Sequence, residues 1–179
     1  YLDDGELVIW LGGSLEEEAQ AVFRRFLESG GRLFMVSLIL PLSQQINVFL
    51  EEMLHVSRAH WMNFAEVHRA GEATGSSTAL QVVYTPLSIR PPAVPLLLDA
   101  KDRVAGLRVD AHTYRVVYLP FDLKGVEDSV WRELLASQLA FLLQQESRPD
   151  LRAVMSPDNT VALEPLEPDV CQCRRHRAA

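Results

Sequence analysis

Ser37 closes the apolar run Leu33-Phe34-Met35-Val36 and is the hydroxyl that a strand end would present to a substrate. As a nucleophile it would need a strained elbow with small residues on both sides, and it is followed instead by Leu38, Ile39 and Leu40. A serine that satisfies backbone groups at a strand end fits this setting better. The histidines are His55, His60, His68, His112 and His176. The first three share one irregular stretch with Glu51, Glu52 and Glu66, residue types that bind metals, but their spacings do not stack on one helical face and no His-x-x-x-His pattern exists. They read as surface or loop histidines, and His112 as a turn residue. No metal and no cofactor is expected.

Carboxylates come in two groups, Asp3, Asp4 and Glu6 ahead of the first apolar run, and Asp99, Asp102 and Asp110 beside later ones. Paired carboxylates serve hydrolysis or cation binding when they converge. Left apart at strand ends they are solvated charges. Gly12-Gly13-Ser14 stands where a helix N-terminus could receive an anion, but Glu16, Glu17 and Glu18 already place negative charge there. With no Walker or Rossmann glycine pattern, nucleotide binding is rejected. Cys171, Cys173 and His176 lie too close together for a structural zinc site and end in a basic run, Arg174-Arg175-His176-Arg177. Trp61, Met62 and Phe64, in an irregular peripheral segment, and Ile89, in a second extended one, are large apolar groups that need cover. Together with Arg174 and Arg175 they are the residues proposed for a protein interface.

The elements that must position these groups begin with Leu7-Val8-Ile9-Trp10-Leu11, a continuous apolar run of the kind buried in a parallel sheet. Ser14 and Glu17 form a capping box for a helix whose Leu15, Ala19, Val22, Phe23, Phe26 and Leu27 recur every three or four residues. Gly30-Gly31 ends it with a left-handed cap, and the second strand follows at once. A second helix is expected over 44–54, and a strand around His60-Trp61-Met62. Residues 71–77 read as a loop. Pro86, Pro91, Pro92 and Pro95 predict extended or irregular chain rather than helix, with strand character returning at 95–98. Val104–Val109 and Thr113–Leu119 predict an antiparallel hairpin, and a last helix opens at Asp128 or Ser129.

The chain has 179 residues, enough for one domain, and 48% apolar with 23% charged residues is the balance of a folded core. Seventeen Lys and Arg against 24 Asp and Glu leave a net charge of −7, which offers no general attraction to nucleic acid or anionic lipid. The apolar run at 33–42 is about half the length of a membrane-spanning helix and contains Pro41. No signal peptide is read.

Three stretches carry a family resemblance: Leu7-Val8-Ile9-Trp10-Leu11-Gly12-Gly13-Ser14-Leu15, Phe26-Leu27-Glu28-Ser29-Gly30-Gly31-Arg32-Leu33-Phe34 and Tyr114-Arg115-Val116-Val117-Tyr118-Leu119-Pro120-Phe121-Asp122. Together they resemble the class I glutamine-amidotransferase-like superfamily of flavodoxin-like domains. The nearest in kind are its non-catalytic members in large bacterial extracytoplasmic proteins. In active members a cysteine follows the central strand and a histidine follows a late strand. Here Ser37-Leu38 and Leu119-Pro120-Phe121 occupy those neighbourhoods, so the resemblance implies an empty catalytic corner, protein subunits as partners and an extracytoplasmic location.

The resulting expectation is an α/β three-layer sandwich with a mostly parallel sheet, an antiparallel edge hairpin and an extended C-terminal tail. Residues 1–146 form the domain, with an N-terminal strand and helix missing, and 147–179 a linker or tail. The expected function is that of a catalytically inactive interaction or accessory subunit. The alternatives are a hydrolase using Ser37 or a carboxylate cluster, and a module binding a small ligand or carbohydrate.

Overall fold

The structure, a computed structural model, describes residues 7–12, 17–38, 48–72, 79–123, 126–143, 151–155 and 161–165. The first part of the chain runs β1 (Leu7–Leu11), α1 (Glu17–Glu28), β2 (Arg32–Val36), α2 (Val48–Glu52), β3 (Val56–Ala59) and β4 (Asn63–Arg69). There follow β5 (Leu80–Tyr84), β6 (Leu87–Ile89), β7 (Ala93–Asp99), β8 (Val104–Asp110), β9 (Arg115–Leu119) and α3 (Asp128–Leu142). A separate antiparallel pair, β10 (Leu151–Met155) and β11 (Val161–Pro165), ends the described chain, so this stretch is not the extended tail expected from its composition.

The main sheet has the order β1-β2-β9-β8-β7-β4-β5, with β6 pairing both β3 and β8. Only β1 with β2 and β2 with β9 run parallel, and every other pair in this sheet is antiparallel. The mostly parallel three-layer sandwich is therefore overturned: strands dominate, and the sheet is mixed and curled into a half-barrel. Its far strand comes back to the chain just past β9. There Thr85 donates its backbone N–H to the Pro120 carbonyl at 2.9 Å, and Asp122 donates to the Val83 carbonyl at 3.2 Å. The β8–β9 hairpin forms with Asp110 opposite Arg115, yet it lies in the middle of the sheet and not at an edge.

The curl follows from which residues carry the core. Alternate residues of β2 and β9 serve two clusters. Leu33, Met35, Val116 and Tyr118 pack with Phe23, Phe26 and Leu27 of α1 and Phe49 and Leu50 of α2. Phe34, Val36, Val117 and Leu119 pack with Trp131, Leu134, Leu135 and Leu139 of α3 and with Val67, Val82 and Tyr84 from the far strands. Side chains that alternate across a strand can serve two cores only when both faces are covered. The ring of Phe34 meets Trp131 edge to face, centroids 6.0 Å apart.

Glycine carries the α1–β2 junction. Gly30, at φ +102°, donates to the Leu27 carbonyl and Gly31 to the Phe26 carbonyl, both at 3.0 Å, which is the Schellman arrangement that the glycine pair predicted. A Cβ on Gly31 would come within 2.5 Å of the Phe26 ring. The cap of α3 departs from expectation. Its N-cap is Glu127, whose side chain makes no cap hydrogen bond, while Ser129 Oγ donates to Glu127 Oε1 at 2.6 Å. At the other end no basic residue stands in the last turn, and Arg115 from β9 donates to the Phe141 carbonyl at 3.1 Å instead.

Candidate interaction surface

The segment around Trp61 is two strands rather than one. β3 ends at Ala59, β4 begins at Asn63, and residues 60–62 connect them. The expected strand at 60–62 is thus a junction, pinned where His60 donates its backbone N–H to the Pro86 carbonyl and its Nε2 lies 3.0 Å from Ser88 Oγ. Along β4 the inward positions are Ala65 and Val67, which join the cluster beneath α3. Phe64 falls on the opposite face and is 68% exposed. Its cross-strand partner is Val83 of β5, itself 40% exposed. Trp61, 83% exposed, and Met62, 47% exposed, precede it. Four apolar side chains at the far end of the curl therefore face solvent among the described residues, an arrangement that binding surfaces use. Ile89 is half-buried on β6 against the other cluster and does not join them.

The residues considered for chemistry are dispersed. Ser37 is 1% exposed, and its backbone is held between the Leu119 carbonyl, to which it donates, and Tyr118 Oη, which donates to its own carbonyl at 3.1 Å. His55 takes a left-handed φ of +54° and lies 3.2 Å through Nε2 from Tyr114 Oη. Burial, reinforced by the nearby Arg90 charge, holds its pKa below the usual histidine value. His68 is no loop residue: it is buried in β4, opposite Leu98. His112 sits exposed in the β8–β9 turn as expected. Among the described residues no group of three His, Cys, Asp or Glu could hold a metal ion. The expectations for Asp3, Asp4, Glu6, Ser14, Cys171, Cys173, Arg174, Arg175 and His176 lie outside the described residues.

Asp99 reverses its reading as a solvated strand-end charge. It is 1% exposed, and it organises the β7–β8 turn by accepting the N–H groups of Lys101 and Arg103 on Oδ1, each at 2.9 Å. Its Oδ2 accepts Tyr84 Oη at 2.6 Å and Arg103 Nε at 2.7 Å. Burial alone would raise its pKa, but these donors outweigh it and bring it to about 2. Burial, with the carboxylate beside it, pushes Tyr84 up to about 12. This cluster was missed. The signal for it was an aspartate two residues before Lys101 and four before Arg103, between two apolar runs, where a carboxylate closes a turn on following N–H groups.

An open groove of about 460 Å³ lies at the N-terminal ends of β2 and β9, lined in part by Gly30, Arg32, Asp110, His112 and Arg115. Two of its charges, Asp110 and Arg115, pair with each other. Arg115 Nε lies 2.9 Å from Asp110 Oδ1, and the guanidinium groups of Arg108 and Arg115 stand 5.2 and 5.5 Å from the centre of the Phe141 ring. Ser37, on the opposite ends of these strands, plays no part in it.

No helix of the described residues is long and apolar enough to cross a membrane. No family model matches the sequence, and no curated protein does. Among solved structures, the cold-adapted beta-galactosidase from Rahnella sp. R3 is similar over 83% of this chain and 25% of its own, at TM-score 0.53 and 14% identity. The beta-galactosidase from Bacillus circulans sp. alkalophilus is similar over 83% and 24%, at 0.52 and 13% identity. The exo-beta-1,4-mannosidase Op5Man5 from Opitutaceae bacterium strain TAV5 is similar over 78% and 24%, at 0.52 and 14% identity. This chain spans about a quarter of the length of each. At such identity the likeness is one of fold, shared with one part of larger proteins.

Proposed function

We propose that the chain is a non-catalytic, amidotransferase-like interaction or accessory domain of a larger bacterial assembly, extracytoplasmic in location. The observation that carries this reading is the strip formed by Trp61, Met62, Phe64 and Val83. Aromatic and methionine side chains are enriched in the buried centres of protein interfaces, and leaving three such groups in water beside Val83 is costly unless a partner covers them. Support also comes from the polar residues. Asp99, Arg115 and His55 each engage groups that hold a turn, a helix end or a loop.

A photoactivatable residue placed at position 61 of the chain in its native host tests the reading. The expected result is a covalent adduct of one discrete larger mass that disappears when Phe64→Ser is added. Absence of any adduct at position 61 overturns it. So does turnover of an ester, amide or glycoside substrate that Ser37→Ala abolishes.

A further inference from the structure

The opposite edge of the sheet carries a second exposed feature, and its chemistry names its occupant. β1 pairs only with β2, so its outer edge has no strand partner among the described residues. Yet its sequence is that of an interior strand: Leu7 and Ile9 pack into the cluster beneath α3, while Val8 and Trp10 pack into the one beneath α1. Edge strands are ordinarily guarded by a charge, a proline or a bulge. From Leu7 to Leu11 there is none of these, and the pairing with β2 is regular throughout. Leu11 is 39% exposed.

We infer that β1 is a self-association edge, at which two copies of the chain join their sheets by pairing β1 with β1 in antiparallel register about Ile9. The free N–H and C=O groups of an edge accept an extended strand and little else. In this register Ile9 faces Ile9 of the second copy, Leu7 faces Leu11, and Val8 faces Trp10. Directly opposed residues of an antiparallel pair point to the same face. Thus residues 7, 9 and 11 extend one apolar cluster across the two-fold axis, and residues 8 and 10 extend the other. Every facing pair is apolar, and the contact closes on itself as an isologous dimer. Two chains of net charge −7 repel, and the strand is flanked in sequence by Asp3, Asp4 and Glu6 and by Glu16, Glu17 and Glu18, so added salt tightens the pairing. This edge is separate from the Trp61 strip and does not depend on it.

Sedimentation of the full chain in a Cys171→Ser/Cys173→Ser background tests the proposal. A dimer at micromolar concentration is expected, strengthened by salt. Leu11→Lys, at an exposed strand end, should weaken it by about tenfold or more, because the charge is buried only in the dimer, while leaving the monomer's thermal melting in place. Ile9→Cys in the same background should form an intermolecular disulfide on oxidation, and Arg108→Cys on β8 should not. A chain that stays monomeric overturns the proposal, as does a dimer that Leu11→Lys leaves unchanged.

Discussion

The two ends of the main sheet bury their strands differently. At the parallel end, β2 and β9 send alternate side chains into two cores and are covered on both faces. At the curled end, β4 and β5 bury Val67, Leu80, Val82 and Tyr84 on the inside and leave Phe64 and Val83 outside. A strand packed on both faces has no side chain free for recognition, whereas β4, covered on one face at its Phe64 end, leaves that outer position for other use although His68 further along the same face is buried. Stability is therefore concentrated at the parallel end, and surface chemistry at the curled end.

The sharpest way to break this contrast is Phe34→Ala. Phe34 is fully buried on β2 and meets Trp131. Truncating such a ring costs about 3–5 kcal/mol through lost transfer energy and the cavity left behind. Urea denaturation should show the midpoint collapsing with an unchanged slope. A loss below about 1 kcal/mol would mean that the two cores are not both needed, and the contrast fails.

Asp99→Ala comes next, because it tests whether the curled end has a polar anchor of its own. The substitution leaves Tyr84 Oη and the Lys101 and Arg103 amides without their acceptor, for an expected loss of about 2–3 kcal/mol, Arg103 being partly solvated. The pH dependence gives a second readout. The unfolded chain binds the Asp99 proton near 3.8 and the folded chain only near 2. Unfolding therefore takes up a proton in that window, and this part of the stability is present above it and lost as pH falls through it. The alanine variant should lack this acid-sensitive component. If both proteins lose stability in parallel between these values, the anchor lies elsewhere.

The parallel end was the legible one. An apolar run, a helix with three-and-four periodicity and the Gly30-Gly31 cap are all local signals, and β1, α1 and β2 follow from them. The Asp110-Ala111-His112 connection likewise marked the β8–β9 hairpin, although not its place in the middle of the sheet, because strand order depends on distant pairings. The curled end was obscured in two ways. Strand character was legible only from Pro95 onward, whereas β7 begins at Ala93 and carries Pro95 where the β7–β8 register shifts and an amide N–H is dispensable. β4 carries Phe64 on its outer face and Asn63 at its start, so its alternation of apolar and polar residues is blurred by the very side chain that makes it a candidate surface. The interface residues were named from their type, and Trp61, Met62 and Phe64 are exposed, but Ile89 lies against the core. Residue type gave no means of separating them.

The smallest expected effect sharpens the comparison most. Phe64→Ser removes a ring that contributes little burial, and surface changes of this kind usually shift stability by no more than about 0.5 kcal/mol in either direction. Paired with Trp61→Ser, it should leave the urea midpoint close to that of the unaltered chain while lowering retention on a hydrophobic-interaction column. The two measurements must move independently. If the double variant loses as much stability as Phe34→Ala, the outer face of β4 is part of the core in solution, and both ends of the sheet bury their strands alike. If stability holds and retention falls, the curled end presents an apolar surface that the fold does not require, which is the condition for its use by a partner.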